Sequence, residues 1–366
     1  MFRNYYRGRK ILVTGHTGFK GAWLSLWLHE LGAEVSGFSD VVPTKPSLFE
    51  VIDKGTFRHD IRGDVSDAKI VAKAIKKTKP DLVFHLAAQP LVRLSYKKPL
   101  STLQTNVMGT ANVLEALRNS GQKTHVLVVT SDKCYENRNW DYGYRENDPL
   151  GGHDIYSASK GATEVMTHAW ARSFFEPDKE LGNVCSARAG NVVGGGDYAA
   201  DRIIPDCVRA LQKKDAIQVR NPKATRPWQH VLDCLSGYLW LGARVATGGK
   251  NSSFASAFNF GPRKESNRNV GELVEAVLQT WPGKWKHLKQ KNAPHEAKLL
   301  HLSTDKATRE LNWFPVWEFE ETIHHTIEWY RRRHTGGRID MREFSRQQIQ
   351  AFSDAAKDAE QEWARK

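Results

Sequence analysis

The stretch Thr14-Gly15-His16-Thr17-Gly18-Phe19-Lys20-Gly21 restricts the folds open to this chain more than any other segment. It sits between Lys10-Ile11-Leu12-Val13-Thr14, which reads as a buried strand, and residues 22–31, which read as a helix. Its three glycines recur every third position. Lacking Cβ atoms, they permit a tight turn and let the backbone close on a pyrophosphate resting at the positive end of the helix. Strand, glycine loop and helix in that order belong to an α/β fold built on a parallel sheet.

The first half of the chain continues the pattern. Strands are expected over 34–38, 56–60 (the weakest), 81–85 and 126–130, with another near 184–187. Helices are expected over 66–77, 100–119 and 157–174, the second with Val107, Ala111, Leu114 and Leu117 on one side. This alternation predicts a Rossmann-type doubly wound sheet. Beyond about residue 190 the rhythm breaks into loops, short strand-like pieces and a helix over 203–211. We therefore expect a dinucleotide-binding domain over 1–190, to which some later segments return. A smaller, mainly substrate-binding lobe over 191–335 should stand at the sheet's carboxyl edge, where open α/β sheets hold ligands. Residues 336–366 are polar and charged, and are expected as a peripheral helix or a loose tail.

Composition narrows the function. Hydrophobic residues make up 40%, charged residues 26%, and the mean hydropathy is −0.56, as in globular domains. No apolar run approaches the roughly 20 residues that span a bilayer. Met1-Phe2-Arg3-Asn4-Tyr5-Tyr6 carries no apolar signal segment, so a cytoplasmic location without a membrane partner is expected. Cys134, Cys185, Cys207 and Cys234 lack zinc-ligand spacing; they are expected as free, mostly buried thiols, with no metal. The net charge is +13, but its densest run is only Arg331-Arg332-Arg333. Spread this thinly, it forms a solvated surface that attracts an anionic diphosphate, and no nucleic-acid partner is expected.

Two further patterns carry chemistry. Asp40 follows the second strand about twenty positions after the loop, where a carboxylate takes ribose hydroxyls and repels the extra phosphate of NADP, so NAD is expected. Asp64 and Val65 can contact adenine, and Leu86, Ala87 and Ala88 can line the nicotinamide ribose. Tyr156-Ser157-Ala158-Ser159-Lys160 places a phenol and an ammonium on one face at the start of a helix. The ammonium should lower the phenol's pKa, letting Tyr156 take a proton from a sugar hydroxyl as hydride leaves the same carbon. Ser131, after the strand over 126–130, adds a second hydroxyl. For a diphosphate, Arg202, Arg226 and Arg263 are candidate cations in loop-like segments. His85 and His230 read as packed structural histidines.

With these residues the chain resembles the extended short-chain dehydrogenase/reductases, the NAD-dependent epimerase/dehydratase family. The likeness runs from the glycine loop to Leu311-Asn312-Trp313-Phe314-Pro315. Within the family, four segments resemble the 4,6-dehydratases that act on CDP-glucose. They are His85-Leu86-Ala87-Ala88-Gln89-Pro90-Leu91-Val92-Arg93, Thr130-Ser131-Asp132-Lys133-Cys134-Tyr135, Arg188-Ala189-Gly190-Asn191-Val192-Val193-Gly194-Gly195-Gly196-Asp197 and Arg226-Pro227-Trp228-Gln229-His230.

The resemblance implies a hydro-lyase of deoxysugar synthesis that turns CDP-glucose into CDP-4-keto-6-deoxyglucose and water. A 4-epimerase, or a dehydratase of another nucleotide-glucose, is the alternative. It implies that Asp132 protonates the departing C6 hydroxyl and that Lys133 stands where dTDP-glucose relatives have a glutamate base for the C5 proton. A lysine of ordinary pKa, about 10.4, is a poor base at neutral pH. Lys133 therefore needs burial or a relay role; otherwise it pairs with Asp132 or holds substrate. By the same resemblance Asn191 and Arg226 contact substrate, Glu296 lies near the ribose or base, and Gln89 and Arg93 border the site. A homo-oligomer, dimer or tetramer, is implied, pairing through the helices around 100–119 and 157–174.

Overall fold

In the structure, a computed structural model describing residues 1–250, 252–288, 300–337 and 339–365, the glycine loop joins β1 (Lys10–Thr14) to α1 (Phe19–Glu30). Around β1 stand β2 (Glu34–Ser39), β3 (His59–Arg62), β4 (Leu82–His85), β5 (His125–Val129), β6 (Val184–Ala189) and β7 (Ala257–Phe260). All seven strands run parallel, in the order β7-β6-β5-β4-β1-β2-β3. The chain winds outward in opposite directions from β1, so β1 and β4 form the switch point of the sheet, and the loops that follow them mark the usual ligand position in such sheets. Helices cover both faces, and β4 and β6 are therefore buried along their whole length.

Local signals account for most elements. Asp67 accepts from the backbone N–H groups of Lys69 and Ile70 and starts α2 (Ala68–Thr78). Residues 99–118 form the expected helix, interrupted by a π-helical turn at Gln104–Met108. Asp154 caps α3 (Ile155–Trp170) by accepting from Ser157 N and Ser157 Oγ at 3.0 and 2.7 Å. The third strand lies later than the expected 56–60. Phe57 leaves the ladder and packs its ring 4.9 Å from His16 and 5.8 Å from Phe49, so pairing starts only at His59.

One face of the sheet carries α1, α4 (Val231–Thr247), α5 (Phe319–Thr335) and α6 (Met341–Asp358), with Trp23, Trp27, Trp240, Trp313 and Trp329 wholly buried there. The other packs α2, the end of the 99–118 helix and the turn Ala171–Phe175. Short strand pairs, Val192–Val193 with Gln229–His230 and Thr225–Pro227 with Asn267–Asn269, gather beyond the carboxyl ends of β6 and β7.

The C-terminal stretch is more than a peripheral tail. Trp363 stacks on Phe2 at 5.0 Å, and Phe352 meets Trp27 edge-on at 5.8 Å, all four buried. Its few apolar residues fall on one face, and the high charge of the remainder hides them from composition. The four cysteines are free and buried. No helix among the described residues is long and apolar enough to cross a membrane.

Candidate active site

Gly15 has φ +72°, and a Cβ there would stand 2.8 Å from Ala87 N and 2.9 Å from Ala87 Cα. The turns after β1 and β4 therefore touch backbone to backbone, which brings Leu86, Ala87 and Ala88 beside the glycine loop. Thr14 Oγ1 accepts from Leu86 N and Ala87 N, both at 3.2 Å, and bonds His85 Nδ1 at 2.7 Å. His85 Nε2 bonds Thr110 Oγ1 at 3.0 Å, and burial, with Lys160 nearby, pushes its pKa down to about 3. His85 is thus a neutral pin beneath the loop. His230 is another: its Nδ1 accepts from Leu232 N at 3.2 Å at the start of α4.

Gly18 begins α1 without any side-chain cap, leaving the helix's positive end open. Phe19 and Lys20 open the first turn. A Cβ on Gly21 would fall 2.2 Å from Gly15 O. Gly21→Ala must move either loop or helix, so a stability loss of about 1–3 kcal/mol is expected. Dinucleotide affinity should fall with it, read by thermal melting and by fluorescence titration. Thr17 turns inward, donating to Val41 O at 2.7 Å and bonding Ser39 Oγ at 2.8 Å. That ties the loop to the end of β2 beside Asp40, whose exposed carboxylate accepts from Val41 N at 2.7 Å. Asp64, also exposed, accepts from Ser66 N at 2.8 Å. Val65 is buried against Gly109, where a Cβ would come within 2.8 Å. An uncapped helix end, a backbone cradle that any side chain would fill and a carboxylate at the end of β2 fit a dinucleotide.

Beyond β5 the chain turns through Ser131 into the 3-10 turn Asp132–Cys134. Ser131 Oγ donates to Asp132 Oδ1 at 2.8 Å. Asp132 is buried, with room made by Gly190, where a Cβ would stand 2.9 Å from Asp132 Oδ2. Burial raises the Asp132 pKa against the opposing pull of Lys133 and Ser131. A carboxyl biased toward its protonated form suits an acid. Lys133 is half-buried on the same turn.

On α3, Tyr156 and Lys160 are both buried. The expected lowering of the phenol is reversed. Burial pushes Tyr156 up to about 12, offset in part by the Ser131 hydroxyl and Arg202, while Asp132 adds to the rise. Lys160, one helical turn further on, is itself brought down to about 8 by burial and the charge of Lys20. Lys20 itself turns inward, donating to Tyr238 Oη at 3.5 Å. Only the packing of α1 on α4 reveals this; nothing in the loop's own sequence does.

The arginines separate. Arg202 donates to Asp197 Oδ2 at 2.6 Å and is among the charges acting on Tyr156. Arg226 donates to Thr225 O at 2.8 Å, opposite Arg268 in a short antiparallel pair. Arg93 and Arg263 are exposed and paired, with Asp201 at 2.8 Å and Glu318 at 3.5 Å. Gln89 uses its carboxamide to brace its own loop, donating to Thr102 Oγ1 at 3.0 Å and accepting from Leu91 N at 2.5 Å. Asn191 O accepts from Gln229 N at 3.2 Å. Glu296 lies outside the described residues. Sequence reasoning passed over Tyr238, Asp154 and the acid–base network behind α3. Of these, Asp154 was legible as a cap three residues before Ser157.

Residues 12–326 match the family described as GDP-mannose 4,6 dehydratase. The chain belongs to that family. Among its relatives, the CDP-glucose 4,6-dehydratase of Salmonella typhimurium is 45% identical over 334 residues, 90% of this chain and 92% of that protein. The solved dTDP-glucose 4,6-dehydratase of Bacillus anthracis, in complex with NAD, superposes with a TM-score of 0.72 at 19% identity, covering 88% of this chain and 96% of that one. The UDP-glucose 4-epimerase of Thermus thermophilus, also with NAD, gives 0.74 at 23% identity, covering 90% and 99%. At these identities the two structures bear on the fold alone. The GDP-mannose 4,6-dehydratase family match runs from within β1 to the middle of α5, so both the glycine loop and the Ser131–Lys133 turn lie inside it.

Proposed function

We propose that this protein is an NAD-dependent CDP-glucose 4,6-dehydratase. The observation that carries the reading is the buried Asp132 on a turn shared with Ser131 and Lys133, beside Tyr156. A simple alcohol oxidation needs the serine, tyrosine and lysine; water loss needs a further acid and base. The 45% identity to the Salmonella enzyme supports both the reaction and the CDP-sugar.

In this reading Tyr156 Oη takes the C4 hydroxyl proton, with Ser131 Oγ bonding the same oxygen. NAD, which the glycine cradle and Asp40 would hold, would supply the hydride acceptor for C4 and the hydride donor for C6. The C4 ketone acidifies the C5 proton, which passes to Lys133 or through it as a relay. Asp132 delivers its proton to the C6 hydroxyl, which departs as water. The C5 proton is then restored from the protein or solvent, leaving a 4-keto-6-deoxy sugar and an unchanged cofactor. Gly15, Gly18, Gly21 and Asp40 would hold the dinucleotide, and Asn191, Arg202 and Arg226 the nucleotide diphosphate. Incubating the protein separately with CDP-, dTDP-, UDP- and GDP-glucose tests reaction and base together by mass spectrometry. A product lighter by one water from CDP-glucose is expected. Unchanged mass with inverted C4 would instead mark an epimerase.

The same reading includes pairing of two copies. Leu100 (78% exposed), Met108, Val165 (58%) and, in part, Phe174 are exposed on the two helical stretches 99–118 and 155–175. Light scattering of Leu100→Glu/Val165→Glu should return the mass of one chain where the wild type gives two or more. An unchanged mass would move the interface elsewhere.

A further inference from the structure

Behind the reactive groups lies a fully buried ion pair that the proposed chemistry does not use. Tyr156, Lys160 and Glu164 recur every fourth residue along the buried face of α3. Glu164 Oε2 accepts from Arg188 Nη2 at 2.8 Å and from Ser186 Oγ at 2.7 Å, and its Oε1 accepts from Thr130 Oγ1. Both partners of the pair have no solvent exposure. Burial alone would push Glu164 up, but Arg188 and the hydroxyls overcome it and hold the carboxylate ionised. Arg188 reaches onward: its Nη1 donates to Tyr135 Oη at 2.7 Å and to Glu146 O at 2.9 Å. Tyr135 Oη donates in turn to Asn259 Oδ1 at 2.7 Å.

Thr130 and Tyr135 are the residues on either side of the segment Ser131–Cys134. The turn bearing Ser131, Asp132 and Lys133 is thus gripped at one end by Glu164 and at the other by Arg188. Glu164 in turn sits one helical turn beyond Lys160. Charge-assisted hydrogen bonds are short and directional, and a buried carboxylate and guanidinium can relax into no other pairing without stranding a charge. We infer that Glu164 and Arg188 are positioning residues that fix the elimination turn against the oxidation pair, keeping ketone formation coupled to water loss. The inference rests on the dehydratase reading.

The test uses Glu164→Gln, which keeps shape but removes charge, and Arg188→Lys, which keeps charge but loses the fork. Thr130→Val and Tyr135→Phe each delete a single hydroxyl, and stand in should the first two fail to fold. Misplacement by about 1 Å can cost roughly 10²-fold in rate, so a loss of that order in dehydration is expected for the ion-pair variants. The hydroxyl deletions should move in the same direction by less. The distinguishing signatures are a raised steady-state absorbance of reduced nicotinamide during turnover and release of a keto sugar that retains its C6 hydroxyl. Independently of turnover, amide hydrogen exchange in the peptide over 130–135 should quicken while that of α3 stays slow. Wild-type dehydration rates in folded variants would overturn the inference. So would equal loss of oxidation and elimination with no build-up of reduced cofactor. Wild-type protein separates the two failures: absence of water loss there sinks the dehydratase reading itself, whatever the variants do.

Discussion

Tyr156→Phe should lower the rate of water loss from CDP-glucose by about 10²–10⁴-fold, the usual weight of a positioned acid–base group. Binding of the nucleotide sugar should stay close to wild type, because the ring and its packing on α3 remain. The phenol is buried and held near 12, so at neutral pH it is protonated and the reactive form is scarce. The buried ammonium beside it discharges near 8. The pair becomes competent on losing one proton, and the productive arrangement is the phenolate with its charged lysine. Below about pH 8 that singly deprotonated pair grows tenfold per pH unit; above it, its amount no longer changes. The wild-type kcat/KM should therefore climb with pH and flatten near 8. In Lys160→Met the break should move to higher pH, because only the phenol is left to titrate. A flat profile from pH 6 to 9, or near-normal turnover in Tyr156→Phe, would remove Tyr156 from the chemistry.

The double variant Asp132→Asn/Lys133→Met probes the other half of the reaction. Water loss should drop by at least roughly 10²-fold, since both the acid and the base or relay are gone. Oxidation at C4 should survive, because Ser131, Tyr156 and Lys160 are untouched. Mixing enzyme and CDP-glucose should therefore produce reduced nicotinamide without a product lighter by water. That separates it from Tyr156→Phe, in which neither signal should appear. An asparagine in place of Asp132 keeps the volume of the aspartate and can still accept from Ser131, so the contact that Ser131 Oγ makes there at 2.8 Å need not collapse. Undiminished dehydration by this variant would strip both residues of their proposed roles and return the epimerase alternative to the front.

Much of the local geometry of the candidate site is legible in the sequence. The glycine spacing announced a cradle, and the structure shows the reason in the approach of Gly15 to Ala87 and of Gly21 to Gly15 O. The Tyr156/Lys160 spacing announced a shared helix face, and both side chains are buried on it. These features were legible because they depend on neighbours a few positions away, where backbone geometry alone sets which side chains meet. The direction of the Tyr156 shift was not legible. It depends on burial and on Asp132, Arg202 and Asp154, of which only Asp154 is close along the chain. Lys20 reads as one more loop residue until α4 supplies Tyr238 beneath it. Glu164 could be placed on the face of Lys160 by counting, yet its partner comes from β6.

The order of residues by itself determined the parallel sheet, the tight glycine turn and the shared helix face of Tyr156 and Lys160, since each follows from short-range periodicity and backbone freedom. Only the folded chain decided which of the reactive groups are charged, which arginines face the phenol and what holds the Ser131–Cys134 turn in place. Solvation and Coulomb energies act through space, between residues the sequence keeps far apart.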